Sequence, residues 1–420
     1  MRLLITEKGL KMYSEILNCR ICHNQNLINV LSLGEQTLTG VFPRYISDTV
    51  SSGPLDLVWC SKCGLLQLKQ SYNLEEMYGD NYGYRSGLNA YMVHHLTNKI
   101  KTLENFAKLK ENDLVLDIGS NDATSLKAYT VKCRKVGIDP TGLKFKNYYT
   151  DDIDLIPDFF SKDAFYNKYP YEKVKIITSI AMFYDLEEPA SFVEDIAAIL
   201  SDNGIWHFEQ SYMPSMLRSN AYDTVCHEHL EFYSFKVTKN LLEKCGLRIV
   251  DVQMNSINGG SFAVTACKKN APYRSNHPVI QWMLRQEDDM RLDTPRPYRT
   301  FEEKVFLHRK NLLELVEALI SDGKTIFGYG ASTKGNVLIQ FCGLTSKHIP
   351  YIAEVNKDKY GCYTPGSHIP IISEDEARAM KPDYFLVFPW HFKHSIIERE
   401  QAFLKNGGKF IFPLPEIEIL

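Results

Sequence analysis

The chain has 420 residues, 44% of them hydrophobic and 24% charged, so it exceeds one ordinary domain and has the apolar content for two or three packed cores. Its formal net charge of −3 supplies no basic excess to hold a phosphate backbone, which argues against a nucleic-acid partner. No stretch approaches the ~20 apolar residues that span a bilayer, and the opening MRLLITEKGLKMYSEIL is broken by charges too often for a signal peptide. The expectation is a cytoplasmic protein with no membrane partner.

Four of the ten cysteines fall as two CxxC pairs, Cys19 with Cys22 and Cys60 with Cys63. A two-residue gap lets both thiolates of a pair reach one ion from a tight turn, and four thiolates suit tetrahedral zinc. A closed four-sulfur site leaves no open coordination position, so the zinc is expected to be structural. A redox reading would want one isolated pair. The segment between the pairs, LSLGEQTLTGVFPR, has turn residues and little periodicity. The stretch Tyr78 to Ser86 is rich in tyrosine and glycine and reads as a linker, with Tyr78, Tyr82 and Ser86 candidates for the mouth of a ligand site.

Residues 88–109 carry apolar side chains three and four apart, the period of an amphipathic helix. The run Leu114 to Ile118 then reads as a buried strand, followed by a turn at Gly119, Ser120, Asn121 and Asp122 and a helix from Thr124. About twenty residues on, a second strand ends at Asp139. Asp117, Gly119 and Asp139 at this spacing suit an adenosine ligand, with glycine admitting backbone N–H groups and the carboxylate accepting from ribose hydroxyls. A dinucleotide fold would want GxGxxG, and GSNDAT has one glycine. Further strand–helix alternation follows. SIAMFYDL, with Ala181 and Met182, stands at a strand's carboxyl end, where open α/β sheets bind ligands. His207 and Glu209 in IWHFEQ either face the pocket or form a buried pair, and two closing strands, expected to be antiparallel, flank the turn at Asn258.

The C-terminal part begins with a long helix, FEEKVFLHRKNLLELVEALISDGK, and continues as a second βαβ-type unit. Gly328, Gly330 and Gly335 have the composition of a phosphate cradle, Lys334 adds charge, Asn336 opens the next helix, Glu354 ends the next strand, and His391 follows a later one. The alternative is a degenerate duplicate that only packs or dimerises.

Together the two cysteine pairs, LDIGSND, HEHLEFYS (227–234) and GYGASTKGN resemble the bacterial S-adenosylmethionine (SAM)-dependent C-methyltransferases that act on nucleotide-linked keto-deoxysugars. The resemblance covers nearly the whole chain. It implies an α/β architecture: a class I methyltransferase (Rossmann-like) core, an N-terminal zinc module and a C-terminal Rossmann-like domain, divided at 1–76, 77–272 and 273–420. It implies SAM contacts at Asp117, Gly119, Asn121, Asp122, Asp139, Tyr82, Ser86, Ala181 and Met182. It implies a catalytic group of His229, the proposed base, with Glu228 and His227. A nucleotide-diphosphate sugar would lie against Tyr78, Asn258, Gly328, Gly330, Lys334, Asn336, Glu354 and His391. The chemistry independently asks for such groups: an α-proton needs a base tuned near neutral pH, and an enolate needs a donor or positive field. This sequence departs from the family at Ala123, usually glycine, at Ala181 and Asp185, near places that often hold an asparagine and a histidine, and at Cys226, where a tyrosine is known. Alternatives are an O- or N-methyltransferase on a related small molecule and a zinc-bearing protein with no enzymatic activity; a nicotinamide-dependent dehydrogenase in the C-terminal half is a further one. The chain is expected to be a monomer or a homodimer.

Overall fold

In a computed structural model, which describes residues 5–6, 9–10, 13–78 and 84–420, the chain between the cysteine pairs folds as a hairpin. Strand β1 (Leu27–Thr37) pairs antiparallel with β2 (Ser52–Cys60), which pairs with β3 (Leu66–Leu68). Register shifts at Asn29/Leu31 and Ser32/Glu35 interrupt the pairing. Such bulges break the period-2 alternation by which a half-buried strand is recognised, so the sequence reads as irregular.

Helix α1 (Ala90–Ala107) starts at Asn89, whose side chain accepts from the Tyr91 N–H, and buries Met92, Leu96, Ile100 and Leu103 on one face. The central sheet follows: β4 (Leu114–Ile118), β5 (Arg134–Ile138), β6 (Ile153–Ile156), β7 (Val174–Ile180) and β8 (Leu200–Ser211). After a short excursion, β9 (Glu231–Phe232), the sheet is completed by β10 (Leu247–Asn255) and β11 (Ser261–Lys268). The spatial order is β6-β5-β4-β7-β8-β11-β10, parallel except for β11, which runs antiparallel to both neighbours. This is the class I methyltransferase arrangement. The chain turns one way after β4 and the other after β7, so the crevice outside their carboxyl ends is the switch point where ligands bind.

The two residues of β9 do not join the central sheet. They pair antiparallel with β3, making the HEHLEFYS segment the fourth strand of the zinc module's sheet.

Helix α2 (Arg296–Ser321) leads to the second α/β unit: β12 (Ile326–Tyr329), α3 (Thr333–Cys342), β13 (Ile352–Glu354), β14 (Ile371–Ser373), β15 (Tyr384–Val387), β16 (Lys409–Phe412) and β17 (Glu418–Ile419). Its order, β14-β13-β12-β15-β16-β17, has its own switch point between β12 and β15. One continuous apolar core joins this domain to the zinc module. Trp59 stacks obliquely on Tyr298 at 5.2 Å, and Gln340 bonds both the N–H and the carbonyl of Thr37. Among the described residues no helix is long and apolar enough to cross a membrane.

Candidate active site

The two switch points face each other across one cleft of about 560 Å³. From the central sheet come the loop after β4 and the loop after β7; from the C-terminal sheet come Ser332, Thr333 and Lys334 after β12 and His391 after β15.

At the central-sheet end, Asp117, Gly119, Asn121, Asp139, Ala181 and Met182 line the wall. Gly119 has φ +71°, and a Cβ there would meet Met182 Cγ at 3.2 Å, so glycine is required by both backbone and space. Asp139 braces the loop: its Oδ2 accepts from the Asn121 N–H at 2.7 Å and its Oδ1 from the N–H and hydroxyl of Thr141, each at 2.6 Å. A carboxylate has about four acceptor positions, which leaves room for a ribose hydroxyl. Burial pushes the Asp117 carboxyl up to about 7, and the Thr178 hydroxyl holds it at 2.5 Å. Ser86, another SAM candidate, also lines the cleft; its N–H donates to Asn121 Oδ1. Two departures from the family pattern share a backbone feature. Ala123 (φ 60°) and Ala181 (φ 55°) are both left-handed, the conformation glycine and asparagine accept most readily.

At the other end stand Glu228 and His229. His229 Nδ1 lies 2.8 Å from the Thr224 carbonyl. A carbonyl only accepts, so Nδ1 carries the hydrogen and the Nε2 lone pair is left for the cleft. The Tyr184 ring packs edge-on at 4.3 Å and fixes the imidazole plane. Burial, together with the Lys334 charge, lowers the His229 pKa to about 4, so the ring is neutral at pH 7. Lys334 is held at 2.9 Å by the carbonyl of Asn258, itself left-handed at φ 55°. His391 Nδ1 is buried with no hydrogen-bond partner among the described residues, and its ring lines the cleft.

Several expected residues lie elsewhere. His227 is fully buried away from the cleft, with Nδ1 3.3 Å from the Thr39 hydroxyl and Nε2 3.2 Å from the Gln36 carbonyl; it staples the HEH segment to the zinc module. Asp122 points at the linker, accepting from the Gly87 N–H at 2.9 Å. Asn336 donates to the Thr39 carbonyl at 2.7 Å and so joins two domains. Glu354 does not reach the cleft: its oxygens are taken by the N–H groups of Ala331, Val355 and Asn356. Gly328 and Gly330 are glycines for packing, since a Cβ would strike Phe388 at 2.8 Å and Pro389 at 2.6 Å. No phosphate cradle is therefore needed to explain either one. Tyr82 and the Tyr78 side chain lie outside the described residues.

Glu209 lines the cleft, whereas His207 is buried against the Thr265 hydroxyl. Burial alone would raise the Glu209 carboxyl, but His95 and Lys99, both at 2.7 Å, bring it down to about 2. Its other tie, Asn255 Nδ2 at 2.8 Å, leads to the Asn258 turn. Thr224, Tyr184 and His95 have no motif to mark them in the sequence; only the fold brings them to the site.

The four cysteine sulfurs lie within 4.8 Å of one another, with Cys19–Cys63 and Cys22–Cys60 each at 3.5 Å. A tetrahedral zinc with bonds of about 2.3 Å sets its sulfurs about 3.8 Å apart, so the quartet fits the ion. His23 is not among the clustered ligands.

Sequence-family models cover the chain in three parts: "Putative zinc binding domain" at 19–78, "Methyltransferase domain" at 91–252 and "C-methyltransferase C-terminal domain" at 256–415. The C-methyltransferase NovU of Streptomyces niveus is 30% identical over 412 residues, 96% of each chain. The chain belongs to the C-methyltransferase family. It is thus an enzyme with SAM as cofactor and zinc as its structural metal, and the alternative of a zinc protein without enzymatic activity falls away. Among solved structures, a SAM-dependent methyltransferase from Clostridium acetobutylicum is 10% identical, covering 42% of this chain and 92% of its own, at a TM-score of 0.35. The N-methyltransferase NodS of Bradyrhizobium japonicum is 14% identical, covering 42% and 95%, at 0.31.

Gly40 of the zinc module abuts a side chain that lines this C-methyltransferase's cleft: a Cβ there would fall 2.1 Å from Glu228 Oε1. Gly40→Ala must therefore displace the carboxylate end of a flexible side chain, which unfolds nothing but moves a cleft group by an ångström or so. The expected result is a fall in kcat of about 10- to 100-fold with little change in the melting temperature. Unchanged turnover would show that the position of Glu228 is immaterial.

Proposed function

We propose that the enzyme methylates a nucleotide-diphosphate-linked keto-deoxysugar at the carbon next to the ketone, through an enolate generated by His229. The observation that carries this reading is the His229 geometry: a neutral imidazole whose Nδ1–H is committed to Thr224, leaving Nε2 as acceptor in the cleft that also holds Asp139. When bound, SAM supplies an electrophilic methyl group. His229 takes the α-proton, and the electron pair of that C–H bond becomes the new carbon–carbon bond. Lys334, at the start of α3, adds its charge to the helix's positive end and so favours the enolate oxygen or the diphosphate. Glu228, with Oε2 unpartnered among the described residues, and His391 offer further polar contacts to the sugar nucleotide. Asp139, Gly119 and Asn121 are assigned to the cofactor. Orientation of the base and burial of the site do the rest, since methyl transfer is chiefly a matter of alignment.

The test is incubation in deuterated water with SAM and a panel of TDP-, GDP- and CDP-linked 4-keto-6-deoxysugars, read by mass and NMR spectra. A new C–CH3 group, with deuterium entering beside the ketone when SAM is withheld, is the expected outcome. SAM binding without exchange or methylation of any member would sink the reading.

A further inference from the structure

Of the two side chains between the cysteines of the first pair, Ile21 packs in the core, whereas the other is neither a ligand nor a surface group. Arg20 is 2% exposed, and its guanidinium spans three segments. On the zinc module it donates to the Leu68 carbonyl at 2.5 Å and the Ser71 hydroxyl at 2.8 Å. Its Nε lies 3.8 Å from Glu231, fully buried in β9 two residues beyond His229. The same Nε lies 3.3 Å from Glu187, at the end of the loop that begins with Ala181 and Met182 and carries Tyr184. These segments are also tied directly. The N–H groups of Leu230 and Glu231 both donate to the Tyr184 carbonyl, at 2.8 and 3.0 Å, and the Leu186 N–H reaches Glu231 Oε2 at 3.4 Å. One planar cation thus sits where the metal knuckle, the strand that follows His229 and the loop after β7 meet.

We infer that Arg20 is a positioning residue that sets the His229 imidazole relative to the SAM-side loop, transmitting the rigidity of the zinc knuckle to the reacting groups. The inference rests on the reading of His229 as base. A guanidinium is suited to this task because its rigid fork addresses several acceptors at fixed angles, which an ammonium does not. Arg20 touches neither substrate nor cofactor, so its loss should spare both binding steps and strike the chemical one.

The experiment compares wild type with Arg20→Met, Arg20→Lys and Glu187→Ala, measuring zinc content, SAM affinity, kcat, KM and α-deuterium exchange into the same 4-keto-6-deoxysugar nucleotides without SAM. Arg20→Met is expected to keep its zinc and its SAM affinity, to lose about 10- to 100-fold in kcat with KM little changed, and to lose exchange in parallel. Arg20→Lys should recover only part of this. Glu187 is half exposed, so Glu187→Ala keeps the fold and should lower kcat and exchange in the same direction, more weakly; it decides the matter if Arg20→Met does not fold. An Arg20→Met enzyme that is folded, zinc-loaded and as fast as wild type overturns the inference, as does a Glu187→Ala enzyme altered only in melting temperature. If His229→Ala still methylates, the base assignment falls and this inference with it. If His229→Ala is inactive while the Arg20 variants are unimpaired, only the inference falls.

Discussion

His229→Ala is expected to lose about 10²- to 10⁴-fold in methyl transfer, with SAM affinity unchanged and deuterium exchange beside the ketone abolished. The cofactor-side residues do not depend on this ring, whose contacts are Thr224 and Tyr184. The removed imidazole was the cleft group with a lone pair aimed by a committed Nδ1–H. The pH dependence follows from the same geometry. An ordinary histidine base would halve the rate near pH 6.5, whereas this ring, lowered to about 4 by burial and Lys334, stays unprotonated well below that. The acid limb of kcat/KM should therefore lie below pH 6. The linkage to stability has a definite sign. The folded ring refuses a proton that the unfolded ring accepts, so wild type loses stability relative to His229→Ala as pH falls from about 6.5 toward 4, and the two run parallel above that window. Denaturant melts of both proteins at pH 7 and pH 5 measure it. An acid limb at 6.5 with parallel melts throughout would show that the ring is not buried as described.

Removing the zinc is expected to abolish turnover while leaving SAM binding largely in place. Structural zinc contributes on the order of 10 kcal/mol to holding its ligands together, and the module it closes is more than an appendage. Strand β9, immediately after His229, pairs with β3 of that module, and the Leu68 N–H donates to the Leu230 carbonyl at 2.8 Å. His227 is gripped by Thr39 and Gln36 of β1 and its following turn. Unfolding the module releases the segment on both sides of His229, the proposed base. The central sheet contains no strand from the module, so the SAM end can persist. Chelation or Cys60→Ser, followed by metal analysis, SAM titration and turnover, checks this. A zinc-free protein that methylates at the normal rate would show that β9 is held without the module.

The methyltransferase domain was legible because its signals are local and periodic. A fully buried strand, a turn with one obligatory glycine and an acidic residue at the end of the next strand lie within a few dozen residues, and each is demanded by backbone geometry. The cysteine quartet was legible for the same reason, since metal ligands announce themselves by type and spacing. The hairpin between the pairs was hidden by its bulges. The glycines at 328 and 330 looked like a phosphate site, and Glu354 like a substrate contact at a strand end, because a Rossmann-type turn uses the same residues to pack as to bind.

What the sequence by itself determined is the family, the cofactor, the metal and the presence of an HEH segment. Which of its two histidines faces the cleft was decided by tertiary structure. His227 and His229 are two apart, yet the turn leading into β9 buries one in the zinc module and aims the other at the cleft. The pairing of β9 with β3, across more than 160 residues of chain, and the contacts of Arg20 and Gly40 follow from that docking. Local propensity carries no record of such contacts, because their energy is realised only when segments remote in sequence exclude water from one another.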